Sequence, residues 1–266
     1  MPNIMRYFTK EKFDWLLADK GLYFSAAEDQ IDTEEGKSDH TFLSAHIRKT
    51  VEGVDPELLL GLDELMLGVQ QVDRKKNLLS CWYLGIEESE KMWETYGKDG
   101  VVFFTDDQAL MNAFPEPLEH AMVAYPVTYD DTLKAGALHE PLRVKHHDWH
   151  EEEEFRFVFA LSKYSVLTGF ESLGGHDGEY LTHESPHMTV GMSQKGIEQA
   201  LDVIRRKGRG LVLNCNFGRA IREVRVHPQA TDSELLDVEN RLKTIGIHCP
   251  VKHSQLRPAF VPPHQT

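Results

Sequence analysis

Apolar and polar positions alternate most strictly between residues 145 and 159, KHHDWHEEEEFRFVF. From Glu152 onward the period is two. Glu152, Glu154, Arg156 and Val158 share one parity, and Glu153, Phe155, Phe157 and Phe159 the other. That spacing predicts a β-strand whose phenylalanines face a core, while two carboxylates and a guanidinium stand in a row on the opposite face, roughly 6.5 Å apart. Such a face is ordinarily the solvated side of a half-buried strand. Held rigidly inside a hollow, it is a candidate reaction centre.

Elsewhere the period changes repeatedly. Residues 10–19 read as a helix capped by Thr9, with Phe13, Leu16 and Leu17 on one face and Gly21 to end it. Residues 22–25 read as a short strand, and 26–54, polar, acidic and aperiodic, as a long loop or lid. Asp55-Pro56 opens a second helix, in which Leu58, Leu59, Leu60, Leu62, Leu65, Met66 and Val69 are dense enough to be core. Further strands are expected at 77–84, 101–105, 121–129, 211–215, 221–227 and 247–251. Further helices are expected at 87–96, 108–114 and 193–208, the last capped by Ser193 and closed by Gly208. Another runs from the capping box Thr231–Glu234 to Thr244. Residues 131–144 read as helix or loop, 164–192 as a loop-rich insertion, and 258–266 as a frayed, proline-rich tail. Strands exceed what a doubly wound fold needs and strict β–α alternation is lost. The expectation is therefore a single α+β domain over 1–257, a mixed, mostly antiparallel sheet flanked by helices.

Composition narrows the function classes. A chain 41% hydrophobic and 27% charged is globular. No apolar run approaches 18 residues and no signal-like segment is seen, so no membrane partner is expected. Cys81, Cys215 and Cys249 lack a C-x-x-C pair and suit thiols in a reducing compartment, which implies a cytoplasmic protein. The net charge of −14 argues against duplex nucleic acid. The cations Arg205, Arg206, Lys207, Arg209, Arg219, Arg222 and Arg225 nevertheless leave room for a small, nucleotide-like anion. No G-x-G-x-x-G follows a strand and no G-K-[ST] occurs, so no Rossmann or P-loop site is expected. His176, His183 and His187 cluster beside acids, which would suit a metal-dependent hydrolase, but tight spacing such as H-E-x-x-H is lacking. No metal or other cofactor is assigned, and the oligomeric state is not legible.

Chemistry returns to the charged row. Two carboxylates at this spacing can orient a nucleophile and stabilise an oxocarbenium ion at a sugar's anomeric carbon. Arg156 can grip phosphate or neutralise the pair. Met92-Trp93-x-x-Tyr96 places rings on one helical turn, either as a ridge packed on the sheet or as a stacking surface for a base or nicotinamide. Ser80 and Cys81 offer a hydroxyl and a thiol with no histidine nearby in sequence to activate them.

In order, Arg6-Tyr7, Leu-Tyr-Phe-Ser at 22–25, Ser80-Cys81, Met-Trp-x-x-Tyr-Gly at 92–97 with its following Gly-Val-Val-Phe, and Lys-x-x-x-Trp-x-x-Glu-x-Glu-Phe-Arg at 145–156 resemble the mostly bacterial domain-of-unknown-function family 2971. The run 221–256, ending in Ser-x-Leu, is similar to that family's tail. Where the family usually shows Phe-Asn-Asp-Pro-Phe-Glu, Asp29-Gln-Ile-Asp-Thr-Glu-Glu35 stands here, which implies changed or lost specificity if that loop binds substrate. A looser resemblance, in the order of an early Arg, a middle Ser and a late Glu-x-Glu strand, is to ADP-ribosyltransferases. It implies a triad of Arg6, Ser80 and Glu154, with Glu152 orienting the acceptor and Trp93 or Tyr96 stacking. Arg156, Tyr23 and Trp149 would complete a binding surface for NAD, taken as substrate. The expected reaction is cleavage or transfer at an N-glycosidic bond. The competing expectation is a non-catalytic binding or interaction module of a bacterial toxin, defence or regulatory system. In it the Glu152–Glu154–Arg156 row is an internal salt network.

Overall fold

The computed structural model describes residues 2–131, 142–168, 194–200 and 202–257. The Ser193 cap, the three clustered histidines, most of the expected insertion and the tail lie outside the described residues, as does most of 131–144. In chain order the elements are β1 (Asn3–Phe8), α1 (Lys10–Asp19), β2 (Gly21–Ala26), α2 (Phe42–Thr50), α3 (Pro56–Lys76) and β3 (Asn77–Leu84). Next come α4 (Glu90–Tyr96), β4 (Val101–Asp106), α5 (Asp107–Met111), α6 (Glu116–His120), β5 (Met122–Pro126), β6 (Thr128–Tyr129) and β7 (Val144–Lys145). A 3-10 helix over His147–Glu152 precedes β8 (Glu154–Ala160), α7 (Leu161–Thr168), α8 (Gln194–Gln199), β9 (Ile204–Lys207) and β10 (Gly210–Asn214). The last are α9 (Phe217–Ala220), β11 (Glu223–Val226), α10 (Asp232–Thr244) and β12 (Val251–His253). The expected α+β class and mostly antiparallel pairing are what the structure has.

The chain divides into two compact units, each built from separated stretches. One comprises Met1–Leu22, Trp82–Phe114 and Asn214–Thr266, the other Tyr23–Cys81 and Pro115–Leu213. In the first, β1 lies between β4 and the end of β3, antiparallel to both, with Ile4 opposite Thr105 and Leu84. Beyond β4, β11 pairs antiparallel and β12 adds parallel to β11. Alternation along β1 sends Met5 and Tyr7 to a cluster with Met92, Trp93 and Val102. Phe8 of the other parity meets Phe103, which also touches Phe13 of α1 and Phe217 of α9. The α1 helix begins at Thr9, whose side chain accepts from the Lys12 N–H, as expected. It ends with Lys20 rather than Gly21 in the left-handed conformation.

In the second unit β8 pairs antiparallel with β5, Phe157 opposite Ala124, and also borders β3. β2 pairs antiparallel with β3, and β9 with β10. Phe159 packs between Phe24 and Tyr164, so the phenylalanine parity of β8 is core, as predicted. The 26–54 stretch is not one loop. It opens with a 3-10 turn over Ala27–Asp29 and later forms α2. Side chains pin the part between: the Gln30 amide donates to Ser25 Oγ, the Arg74 guanidinium to the Glu35 and Thr33 carbonyls, and the Gln70 amide to the Ser38 carbonyl. Gly36 turns the chain there at φ +69°, and a Cβ on it would come within 2.7 Å of Leu142 Cδ2.

The leucine-rich α3 corrects another expectation. Asp55 caps it, Pro56 starts it and Arg74, Lys75 and Lys76 close it, all favourable to helix. Yet of its apolar residues Leu59 is buried, whereas Leu58, Leu60 and Leu65 are 69, 60 and 62% exposed. Density of leucines is not a face; only the phase that includes Leu59 is inside. Two smaller corrections follow from turns. The expected 193–208 helix stops at Gln199, and Gly208, at φ +58°, turns the β9–β10 hairpin instead. The expected 121–129 strand breaks into β5 and β6.

Candidate functional site

The charged row exists, but it begins later than its sequence period suggests. Residues 147–152 wind as a 3-10 helix, and Glu153 ends it in the left-handed conformation at φ 38°, its N–H donating to the His150 carbonyl. That reversal removes Glu152 from the strand and leaves the parity from Glu154 onward unchanged, with Glu154 the first residue of β8. The second correction concerns solvent. Glu154 and Arg156 are 5 and 1% exposed, and Val158 of the same parity is buried beside Ala27, Leu79 and Leu142. Both faces of β8 are interior.

A buried guanidinium must have every N–H satisfied, and Arg156 does. Its Nε donates to Glu154 Oε1 at 2.7 Å, and one terminal nitrogen to Glu154 Oε2 at 2.9 Å and Glu35 Oε2 at 2.6 Å. The other donates to Glu35 Oε1 and to the Leu142 carbonyl, both at 2.6 Å. Two carboxylates thus grip one guanidinium edge to edge, the bidentate arrangement arginine favours. Lys145 joins from β7. Its ammonium bonds Glu152 at 2.5 Å, approaches Glu154 at 3.4 Å, and lies 4.5 Å from the centre of the Trp149 ring. Glu152 therefore enters the network through Lys145 and not along the strand. The Glu154 N–H donates to the Tyr129 hydroxyl, which fixes the start of the strand.

Protonation follows this geometry. Burial alone would push the Glu154 carboxyl up, but the Arg156 charge and hydrogen bonds, with Lys145, outweigh it and hold the group down at about 2. Burial wins at Glu35, whose carboxyl is raised despite Arg156, with the Glu154 charge adding to the rise. Burial and then the Glu154 charge push the Cys81 thiol well up. Cys81 also hydrogen-bonds Glu154.

Six residues of the second unit are thus brought together: Glu35, Cys81, Lys145, Glu152, Glu154 and Arg156. Glu35 lies 121 positions from Arg156 in the chain, so no local pattern joins the two. Its signals in the sequence are an acidic run, which is ordinarily surface, and its place at the end of the segment that departs from the family pattern. Ser80, also fully buried, is a different case. Along β3, Leu79 and Cys81 share the parity that packs with Val158, so strand alternation sends Ser80 to the other face. The thiol, not the hydroxyl, is beside Glu154. Tyr23 stands on β2 at 38% exposure, its hydroxyl raised by burial and by the Asp29 charge.

Arg6, Trp93 and Tyr96 belong to the first unit. The Arg6 guanidinium lies 5.2 Å from the Phe8 ring and 5.8 Å from the Trp82 ring. Trp93 is buried, edge-on to Tyr7 and His227 at 5.1 and 5.4 Å, and Tyr96 packs on the same cluster. The aromatic ridge on the sheet is the arrangement found. Its anchor is Glu88, a carboxylate whose side chain is 1% exposed. Glu88 accepts from the Trp93 indole at 2.8 Å, from the Ser254 hydroxyl, from the Gln255 N–H at 2.9 Å and from Arg225 at 2.6 Å. The Ser89 N–H donates to the Tyr7 hydroxyl. Tyr7, Met92–Gly97 and the terminal Ser-x-Leu are thus parts of one structural knot. Among the described residues no group of three or more His, Cys, Asp or Glu is set to hold a metal, and no helix is long and apolar enough to cross a membrane.

Comparison of the chain with family models, with curated proteins and with solved structures found no match.

Proposed function

We propose that the chain is a non-catalytic binding or interaction module, and that the Glu35–Arg156–Glu154–Lys145 network is a tie holding the 27–36 segment to β8. One observation carries this reading: both Glu154 oxygens and every Arg156 donor are already taken inside the protein. A carboxylate that drives loss of nicotinamide needs an oxygen turned toward the sugar, and a phosphate-gripping arginine needs donors to spare. The experiment incubates the protein with NAD and follows nicotinamide release, beside thermal melts with NAD, other nucleotides and divalent metals. No release, no ligand-induced rise in melting temperature, and a lower melting temperature for Glu154→Gln are expected. Nicotinamide release that Glu154→Gln abolishes without loss of stability overturns the reading.

That outcome would favour the ADP-ribosyltransferase-like reading, with NAD as substrate and Glu154 as the acid acting at its N-glycosidic bond. It draws support from Glu154 being held ionised, the state that stabilises an oxocarbenium ion.

A further inference from the structure

The α3 helix leaves a face that its own unit does not cover. At 100° per residue, Leu58, Gly61, Leu65, Gly68, Val69 and Val72 fall within one stripe, on a helix about 31 Å long. Leu58, Leu65 and Val69 are 69, 62 and 46% exposed, and a Cβ built on Gly61 or Gly68 meets no atom within 4 Å. The stripe is distinct from the phase of Leu59, which faces inward, and of Gln70, which holds Ser38. An isolated exposed leucine needs no explanation, but a row with notches along one helix does.

We propose that this stripe is the self-association surface of the chain, closed by α3 of a second copy running antiparallel across a two-fold axis. The choice of occupant comes from the stripe's complementarity to itself. In the register where paired residue numbers sum to 133, the two helices overlap along nearly their whole length. Each Leu65 then lies opposite Gly68 of the other copy, and each Val72 opposite Gly61. Bulky and absent side chains alternate, which lets two helices approach closely, and a two-fold axis makes every such match occur twice. Charge agrees. The helix starts with Asp55 and Glu57 and ends with Arg74, Lys75 and Lys76, so the antiparallel register sets Glu57 beside Lys75 of the other copy. A parallel pair would stack like on like. One helix pair is a small interface, so the dimer is reversible and weak.

The proposal supplies a partner for the non-catalytic module proposed above, yet the two fail separately. NAD turnover would end that reading and leave the dimer standing; a monomer at every concentration would end only the dimer. The test is sedimentation of the full chain over a wide concentration range at about 0.15 M salt, where the repulsion between copies of net charge −14 is screened. A monomer–dimer equilibrium is expected. Gly68→Gln should abolish it by filling the notch while leaving the melting temperature unchanged or raised, because the position is open and glycine is a poor helix former. Glu57→Lys and Lys75→Glu should each weaken it, and their combination should restore it. A monomer throughout, aggregates of indefinite size, a dimer indifferent to Gly68→Gln, or association with a different protein while the chain itself stays monomeric would each overturn the proposal.

Discussion

Glu35 and Glu154 grip the same guanidinium, yet their removal should cost very different amounts. The network sets two cations, Arg156 and Lys145, against three carboxylates, Glu35, Glu152 and Glu154. One acid must therefore be less well compensated, and the opposite shifts of Glu154 and Glu35 identify it as Glu35. Glu154 is held at about 2 against an ordinary 4.5. At about 1.4 kcal/mol per unit, its ionised form contributes about 3 kcal/mol to stability at neutral pH. The side chain is only 5% exposed, so solvent screens little of this. Glu154→Gln keeps the shape, but turns an amide NH2 toward a donor and should lose about that amount. For a chain of this size it corresponds to a fall of about 6–12 °C in melting temperature. Glu35→Gln removes a charge that burial already disfavours and keeps one acceptor for Arg156, so its cost should stay below about 1 kcal/mol. Urea unfolding of both variants at pH 7, with the double variant to give the coupling energy, measures all three quantities. A Glu35→Gln loss equal to or larger than that of Glu154→Gln would falsify this division of charge, and two silent variants would remove the network from the account of stability.

Further outcomes can be checked on the same protein. Because the Glu154 carboxyl is depressed in the fold, its contribution is fully present above about pH 4.5 and is lost as pH falls toward 2; wild type and Glu154→Gln should converge in stability across that window, and a gap that persists at pH 2 contradicts the assignment. Glu35, shifted the other way, should soften the wild-type acid loss, so Glu35→Gln should make the chain's decline with acid steeper. Glu88→Gln should destabilise the protein by about 3 kcal/mol in urea titrations, since it removes the charge facing Arg225 and its one remaining acceptor oxygen can serve either the buried Trp93 indole or Arg225 but not both; a loss under about 1 kcal/mol contradicts its place as anchor. The raised thiol of the half-buried Cys81 should make it slow to react with iodoacetamide in native protein at pH 7, with peptide mapping as the readout, and alkylation within minutes would contradict the effect assigned to the Glu154 charge.

How much of this was legible follows from the distance over which each feature is decided. The phenylalanine face of β8, the Thr9 cap and the Thr231–Glu234 capping box are settled within a few residues, and the local pattern was enough for each. The start of β8 is not legible because a single left-handed residue, Glu153, interrupts an alternation that its neighbours continue in sequence. The leucines of α3 follow a related rule: their phase, not their number, decides which of them is inside. Composition and periodicity leave Glu35 unmarked, because what buries Arg156 comes from an acidic segment that reads as surface. A charge count still narrows such cases. An isolated E-x-R pair on a strand is neutral and can go under the surface; adding Glu152 by parity made the row net negative and invited a solvated or catalytic reading. Once Glu153 takes Glu152 off the strand, the neutral pair recruits Glu35 and Lys145, and Lys145 draws Glu152 back in from the turn, so the network carries one acid in excess. The turn before the strand, more than the strand itself, decides whether these residues form a site or a tie.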